Sequence, residues 1–167
     1  NKAEKNLKKA LKLNPENPEA LYNLGSIDHE RKDYKNAIEY YNKALKITPN
    51  HSDAHFNNGI AHLEIGNLNE AEKSLQKTIQ LKPNYAQAFS NLGIVFLRQE
   101  KPKEALRILL QATKLNSKDP HIYNNLAIAT EALHGLKASI DIYAKSLQED
   151  PKFLTGHINL GSAYFKL

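Results

Sequence analysis

Asn23, Asn57, Asn91, Asn125 and Asn159 recur along this chain at a single spacing of 34 residues. An Asn amide presents a donor and an acceptor side by side. That pair can hold the N–H and C=O of an extended peptide whatever the peptide's own side chains. Each of the five lies in a segment of helical periodicity, where Asn is less favourable than Ala by roughly 0.5 kcal/mol. Its return at one phase therefore needs a reason. Two readings stand: the amides face a ligand, or Asn suits this position by bonding a neighbouring helix.

Other residues with chemical potential form no recognisable set. There are seven histidines, and His51, His55 and His62 are the nearest to a metal pattern. His51 and His55 have the i, i+4 spacing of ligands on one helix face. However, His51 precedes the helix start, His55 falls on a packing position, and no carboxylate or Cys completes the set. There is no Gly-rich phosphate loop and no Walker-type lysine. Asn50-His51-Ser52 matches the glycosylation acceptor pattern, read as chance without evidence of secretion. Helical segments offer no strained turn for a nucleophilic Ser. The expectation is no catalytic residue, no metal and no cofactor, and an enzyme only if a catalytic domain lies outside these residues.

The elements that must carry the five Asn follow from the same period, which decides the architecture. The unit Pro18–His51 holds two amphipathic segments, Glu19–Lys32 and Tyr34–Thr48. Leu21, Leu24 and Ile27 recur at helical spacing on the first, and Ala37, Ile38, Tyr41, Ala44, Leu45 and Ile47 on the second. Gly25, Gly59, Gly93 and Gly161 align, with Ala127 in the remaining unit. A Gly inside a helix costs about 1 kcal/mol against Ala, so its return suggests close helix approach. Pro15, Pro49, Pro83 and Pro151 align and stop the second segment. The chain thus divides into a second helix at 1–17, full units at 18–51, 52–85, 86–119 and 120–153, and a first helix at 154–167. Gly66-Asn67, Lys101-Pro102 and His134-Gly135 supply turn chemistry within units. Asp119-Pro120 restarts the chain where Ser117 replaces the stop proline.

In these residues the chain resembles the tetratricopeptide repeat family. The pattern runs Leu21, Leu24-Gly25, Ala37, Tyr41, Ala44, Pro49, and again Phe89, Leu92-Gly93, Ala105, Leu109, Ala112. The resemblance covers essentially the whole chain. His55 and His157 stand where a large aromatic is usual, Asn58 in a Leu slot, and Ser139 and Ser146 in Ala slots. The resemblance implies an all-α, right-handed superhelix of antiparallel helix pairs whose first helices line a concave side. The five Asn would then form a ladder, similar to that in the tetratricopeptide regions of O-linked N-acetylglucosamine transferases. Tyr22, Phe56, Ile60, Ile94 and Ile128 would flank it as apolar peptide contacts, with Glu19 and Asp53 adding acidity toward the start. The positions where related arrays place Lys and Arg to clamp a terminal carboxylate hold Tyr22, Ser26, Gln87 and Asn91, which argues against such a clamp.

Composition fits a soluble protein: 41% hydrophobic, 25% charged, no Cys. No apolar run approaches the ~18 residues of a membrane span. The net charge of +5 is spread along helix faces, so neither nucleic acid nor membrane is the expected partner. A protein or peptide partner is. The absence of Cys is compatible with the cytosol. The pattern begins midway through a unit and position 1 is not Met, which points to a piece of a longer protein. Two further roles stay open: the recruiting arm of a larger enzyme such as a glycosyltransferase, or a self-assembling scaffold. Tyr164, Phe165 and Leu167 at one end and the lone second helix at the other suggest head-to-tail self-association.

Overall fold

A computed structural model describes residues 2–167. Among them lie ten helices and no strand: α1 Lys2–Leu13, α2 Pro18–Glu30, α3 Tyr34–Ile47, α4 Ser52–Glu64, α5 Leu68–Leu81, α6 Ala86–Arg98, α7 Pro102–Leu115, α8 Pro120–His134, α9 Leu136–Glu149 and α10 Leu154–Phe165. They fall into two units, Asn1–Pro83 and Asn84–Leu167. In the first, α2 pairs with α3 and α4 with α5, and α3 packs on α4. In the second, α6 pairs with α7 and α8 with α9, and α7 packs on α8. The fold class is an all-α solenoid of helix pairs.

Local chemistry starts the helices. Asn17 Oδ1 accepts the Ala20 N–H at 2.8 Å, and Asp119 Oδ1 accepts the His121 N–H at 2.9 Å. Both are N-caps ahead of a proline at the first helical position. The first segment of the unit ends at Glu30, earlier than the sequence pattern suggests, because Lys32 turns into the left-handed region at φ 62°. Glu100 does the same at φ 59°, and Gly66 takes that conformation at φ 80°. The second segment ends at Ile47, since Thr48 precedes a proline and adopts φ −123°, ψ 82°.

The pairs close on small residues. A Cβ built on Gly25 would lie 2.7 Å from Tyr41 Cε1, on Gly59 2.8 Å from Leu75 Cγ, and on Gly93 2.5 Å from Leu109 Cγ. Each meets the side chain sixteen positions on, which is fully buried. The Ala slots are equally tight: Ala37, Ala71, Ala105 and Ser139 have no exposed surface. The two serines fit because their hydroxyls are satisfied at home. Ser139 Oγ donates to Leu136 O at 2.8 Å and Ser146 Oγ to Tyr143 O at 2.6 Å. Asn58, in the Leu slot, is 4% exposed and donates through Nδ2 to Asn42 Oδ1 at 3.1 Å.

Candidate functional site

The period places all five Asn at one position of the first helices: Asn23 on α2, Asn57 on α4, Asn91 on α6, Asn125 on α8 and Asn159 on α10. Asn23 is exposed and the other four are half-buried. Tyr22, Phe56, Ile60, Ile94 and Ile128 are also half-buried, so apolar surface stays accessible beside the amides. Glu19 and Asp53 are exposed, and Asp53 pairs with Lys82 Nζ at 2.7 Å.

Within the first unit α2 lies beside α4, and within the second α6 beside α8 and α8 beside α10. These neighbours share a hydrogen-bond register. Asn57 Nδ2 donates to Tyr22 Oη at 3.2 Å, Asn125 Nδ2 to Ser90 Oγ at 3.1 Å, and Asn159 Nδ2 to Asn124 Oδ1 at 2.8 Å. In every case the acceptor stands 35 residues earlier, one position before the preceding Asn of the row. Asn91 differs: its Nδ2 donates to Gln87 O in its own helix at 2.9 Å. The residue 35 before it in sequence is Phe56, which has no polar side-chain atom. The amides therefore do bond neighbouring helices, but each such bond takes one N–H. A second N–H and the carbonyl remain on the same side chain.

Tyr22 is held by its surroundings. Its ring centroid lies 4.7 Å from that of His51 and 5.9 Å from that of Tyr41. In the second unit Ile128 and Asn159 line one concavity of about 370 Å³ together with Glu131, Tyr143, Ser162 and Lys166. Tyr143 Oη donates to Glu131 Oε2 at 2.8 Å on its wall.

The three histidines nearest to a metal pattern have structural roles. His51 caps α4, its Nδ1 accepting the Ala54 N–H at 3.2 Å. A His55 ring nitrogen pairs with Pro49 O at 2.8 Å. His62 is buried. Burial holds its imidazole below the ordinary value, partly offset by the Glu70 carboxylate. Among the described residues no group of three metal-ligating side chains gathers, and no helix is long and apolar enough to cross a membrane. The sequence pattern reached the amide row but missed what pins it. The signal was present as Tyr22, Ser90 and Asn124, polar residues one place before a row Asn.

Helical hairpins with a small residue under each crossing, and an amide row on their first helices, define a helical-repeat module. Models of the tetratricopeptide repeat match residues 1–52, 28–89 and 66–129, and the chain belongs to the tetratricopeptide repeat family. Such repeats are non-catalytic and generally serve protein–protein interaction. Among solved structures the chain is similar to MamA, at 25% identity over 87% of this chain and 85% of that one, TM-score 0.82. It is also similar to a thermophilic repeat protein of Thermus thermophilus, at 26% identity over 95% and 87%, TM-score 0.77. YrrB, described as having an unusual peptide-binding site, shares the fold at 22% identity over 96% and 82%, TM-score 0.77. A search of curated proteins finds no match.

Proposed function

We propose that the amide-bearing face of the first helices binds an extended segment of a partner protein. In the first unit the contacts are Asn23 and Asn57 with Tyr22, Phe56 and Ile60. In the second they are Asn91, Asn125 and Asn159 with Ile94 and Ile128. The reading rests on one observation: a row of amides at a fixed helical position, partly exposed, with half-buried apolar side chains alongside. Amides without charge read backbone rather than side chains, so the face suits segments of varied sequence.

Asn91 gives the cleanest test, because the hydrogen bond of its side-chain amide runs to its own helix. A peptide selected from a displayed library of random 12-residue sequences serves as probe. Asn91→Ala removes amide contacts worth roughly 0.5–1.5 kcal/mol each while improving helix propensity. Titration calorimetry should show weaker binding with an unchanged or higher melting temperature. Unaltered affinity in Asn23→Ala, Asn91→Ala and Asn125→Ala alike would refute the reading.

A second arrangement, contact between copies of this chain, is favoured by α10. A Cβ built on Gly161 would meet nothing within 4 Å, unlike one on Gly25, Gly59 or Gly93, and Leu154, Ile158, Tyr164 and Phe165 are exposed. Leu7 on α1 stands at the repeat position of Tyr41, Leu75 and Leu109, the side chains that cover those glycines. Light scattering over a concentration series decides it: a constant monomer mass excludes the contact.

A further inference from the structure

Three hydrogen bonds of one register single out Ser90 and Asn124, which the peptide-binding reading does not itself use, and give the Tyr22 hydroxyl a role apart from its ring contact. We infer that Tyr22, Ser90 and Asn124 are positioning residues, which orient the amides of Asn57, Asn125 and Asn159 for a bound peptide backbone. The inference rests on the reading of the amide face given above.

A free Asn side chain on a helix surface rotates about χ1 and χ2, and its terminal torsion is broad and roughly two-fold. Two-faced recognition of a backbone is then lost in half its orientations, and binding must order the side chain at an entropic cost. A fixed acceptor removes that freedom. Tyr22 Oη, Ser90 Oγ and Asn124 Oδ1 each take one N–H of the amide that follows 35 residues later. In this arrangement the nitrogen end of each amide is held and its carbonyl is left out of that bond. The carbonyl and the second N–H then keep one orientation before any ligand arrives.

The acceptors are themselves fixed. Ser90 is 7% and Asn124 5% exposed. Tyr22 stands between the rings of His51 and Tyr41. Three different side chains supply the acceptor, so the shared feature is an acceptor at that place and not a residue type. Asn91 bonds Gln87 O instead, so the row holds pinned amides at Asn57, Asn125 and Asn159 and a self-bonded one at Asn91.

The test removes acceptors without touching the row. Tyr22→Phe deletes one oxygen and keeps the ring. Ser90→Ala deletes the hydroxyl, and Ser90→Thr keeps it. Affinity for the library-selected peptide is measured well below each variant's melting temperature. Tyr22→Phe and Ser90→Ala should each weaken binding about threefold to tenfold, and Ser90→Thr should restore it. Tyr22→Phe added to Asn57→Ala should weaken binding no further than Asn57→Ala alone, as coupled residues do. The side-chain amide resonances of Asn125 should shift in Ser90→Ala and return in Ser90→Thr, with no ligand present. If Asn57→Ala and Asn125→Ala weaken binding while Tyr22→Phe and Ser90→Ala leave it unchanged, or if the Tyr22 and Asn57 effects simply add, the positioning role is overturned and the peptide reading survives. If the Asn→Ala changes themselves have no effect, the peptide reading falls and the inference with it.

Discussion

Gly93 and Leu109 sit so close that a Cβ on the glycine would lie 2.5 Å from Leu109 Cγ. Leu109 is fully buried, so it has no room to retreat. Gly93→Ala should therefore cost about 1–3 kcal/mol by overpacking, and the melting temperature should fall by about 2–4 °C per kcal/mol. Gly161, where an added Cβ would meet nothing within 4 Å, should respond in the opposite sense. Gly161→Ala gains up to about 1 kcal/mol of helix propensity. Calorimetric melting of the two variants checks both signs.

His62 ties stability to pH. Burial disfavours the charged imidazole in the fold and lowers its pKa, with Glu70 partly offsetting the shift. His29 is lowered by burial in the same way. A folded pKa below the unfolded value near 6.5 means that this stability is fully present above that value. It is lost as pH falls, because the unfolded chain takes up the proton first. Melting temperature should drop between pH 7 and pH 5. Phe96 fills the matching place on α6, buried, so His62→Phe should reduce that pH slope. It should also raise stability at pH 5.

Lys32 and Glu100 occupy the left-handed region at φ 62° and φ 59°. A side chain there costs roughly 1–2 kcal/mol, and replacing it with Gly returns part of this after the entropy of the freer unfolded chain is subtracted. Lys32→Gly and Glu100→Gly should each stabilise by about 0.5–1 kcal/mol. Urea denaturation should show raised midpoints with unchanged slope.

Asn58 buries an amide where Leu24, Leu92 and Leu126 stand in their own pairs. Its Nδ2 is satisfied by Asn42, but its buried Oδ1 has no hydrogen-bond partner. An unpaired buried acceptor costs about 1–3 kcal/mol. Asn58→Leu should raise the melting temperature. A lower value would mean that the Asn58–Asn42 bond outweighs the unpaired oxygen.

Periodicity carried most of the architecture. Pairs of helices, the restart at Asp119-Pro120 and the small residue under each crossing follow from residue type and spacing, because helix geometry and local capping are short-range. Boundaries were less legible. Lys32 and Glu100 enter the left-handed region without a glycine to announce it, since the adjoining helices impose the turn. The Asn row was equally plain as a pattern, and its exposed or half-buried placement follows from its phase on the first helices.

What tertiary structure alone decided was the use of each amide. A side chain of fixed type can bond its own helix, a neighbouring helix or a ligand, and sequence phase does not choose among them. Stacking brought Tyr22 to Asn57, Ser90 to Asn125 and Asn124 to Asn159 across 35 residues, while Asn91 turned back to Gln87. The period set where the amides are because it is a property of the chain. The hydrogen bonds depend on which polar atom the packed neighbour presents within about 3 Å, and that distance exists only once the helices have stacked.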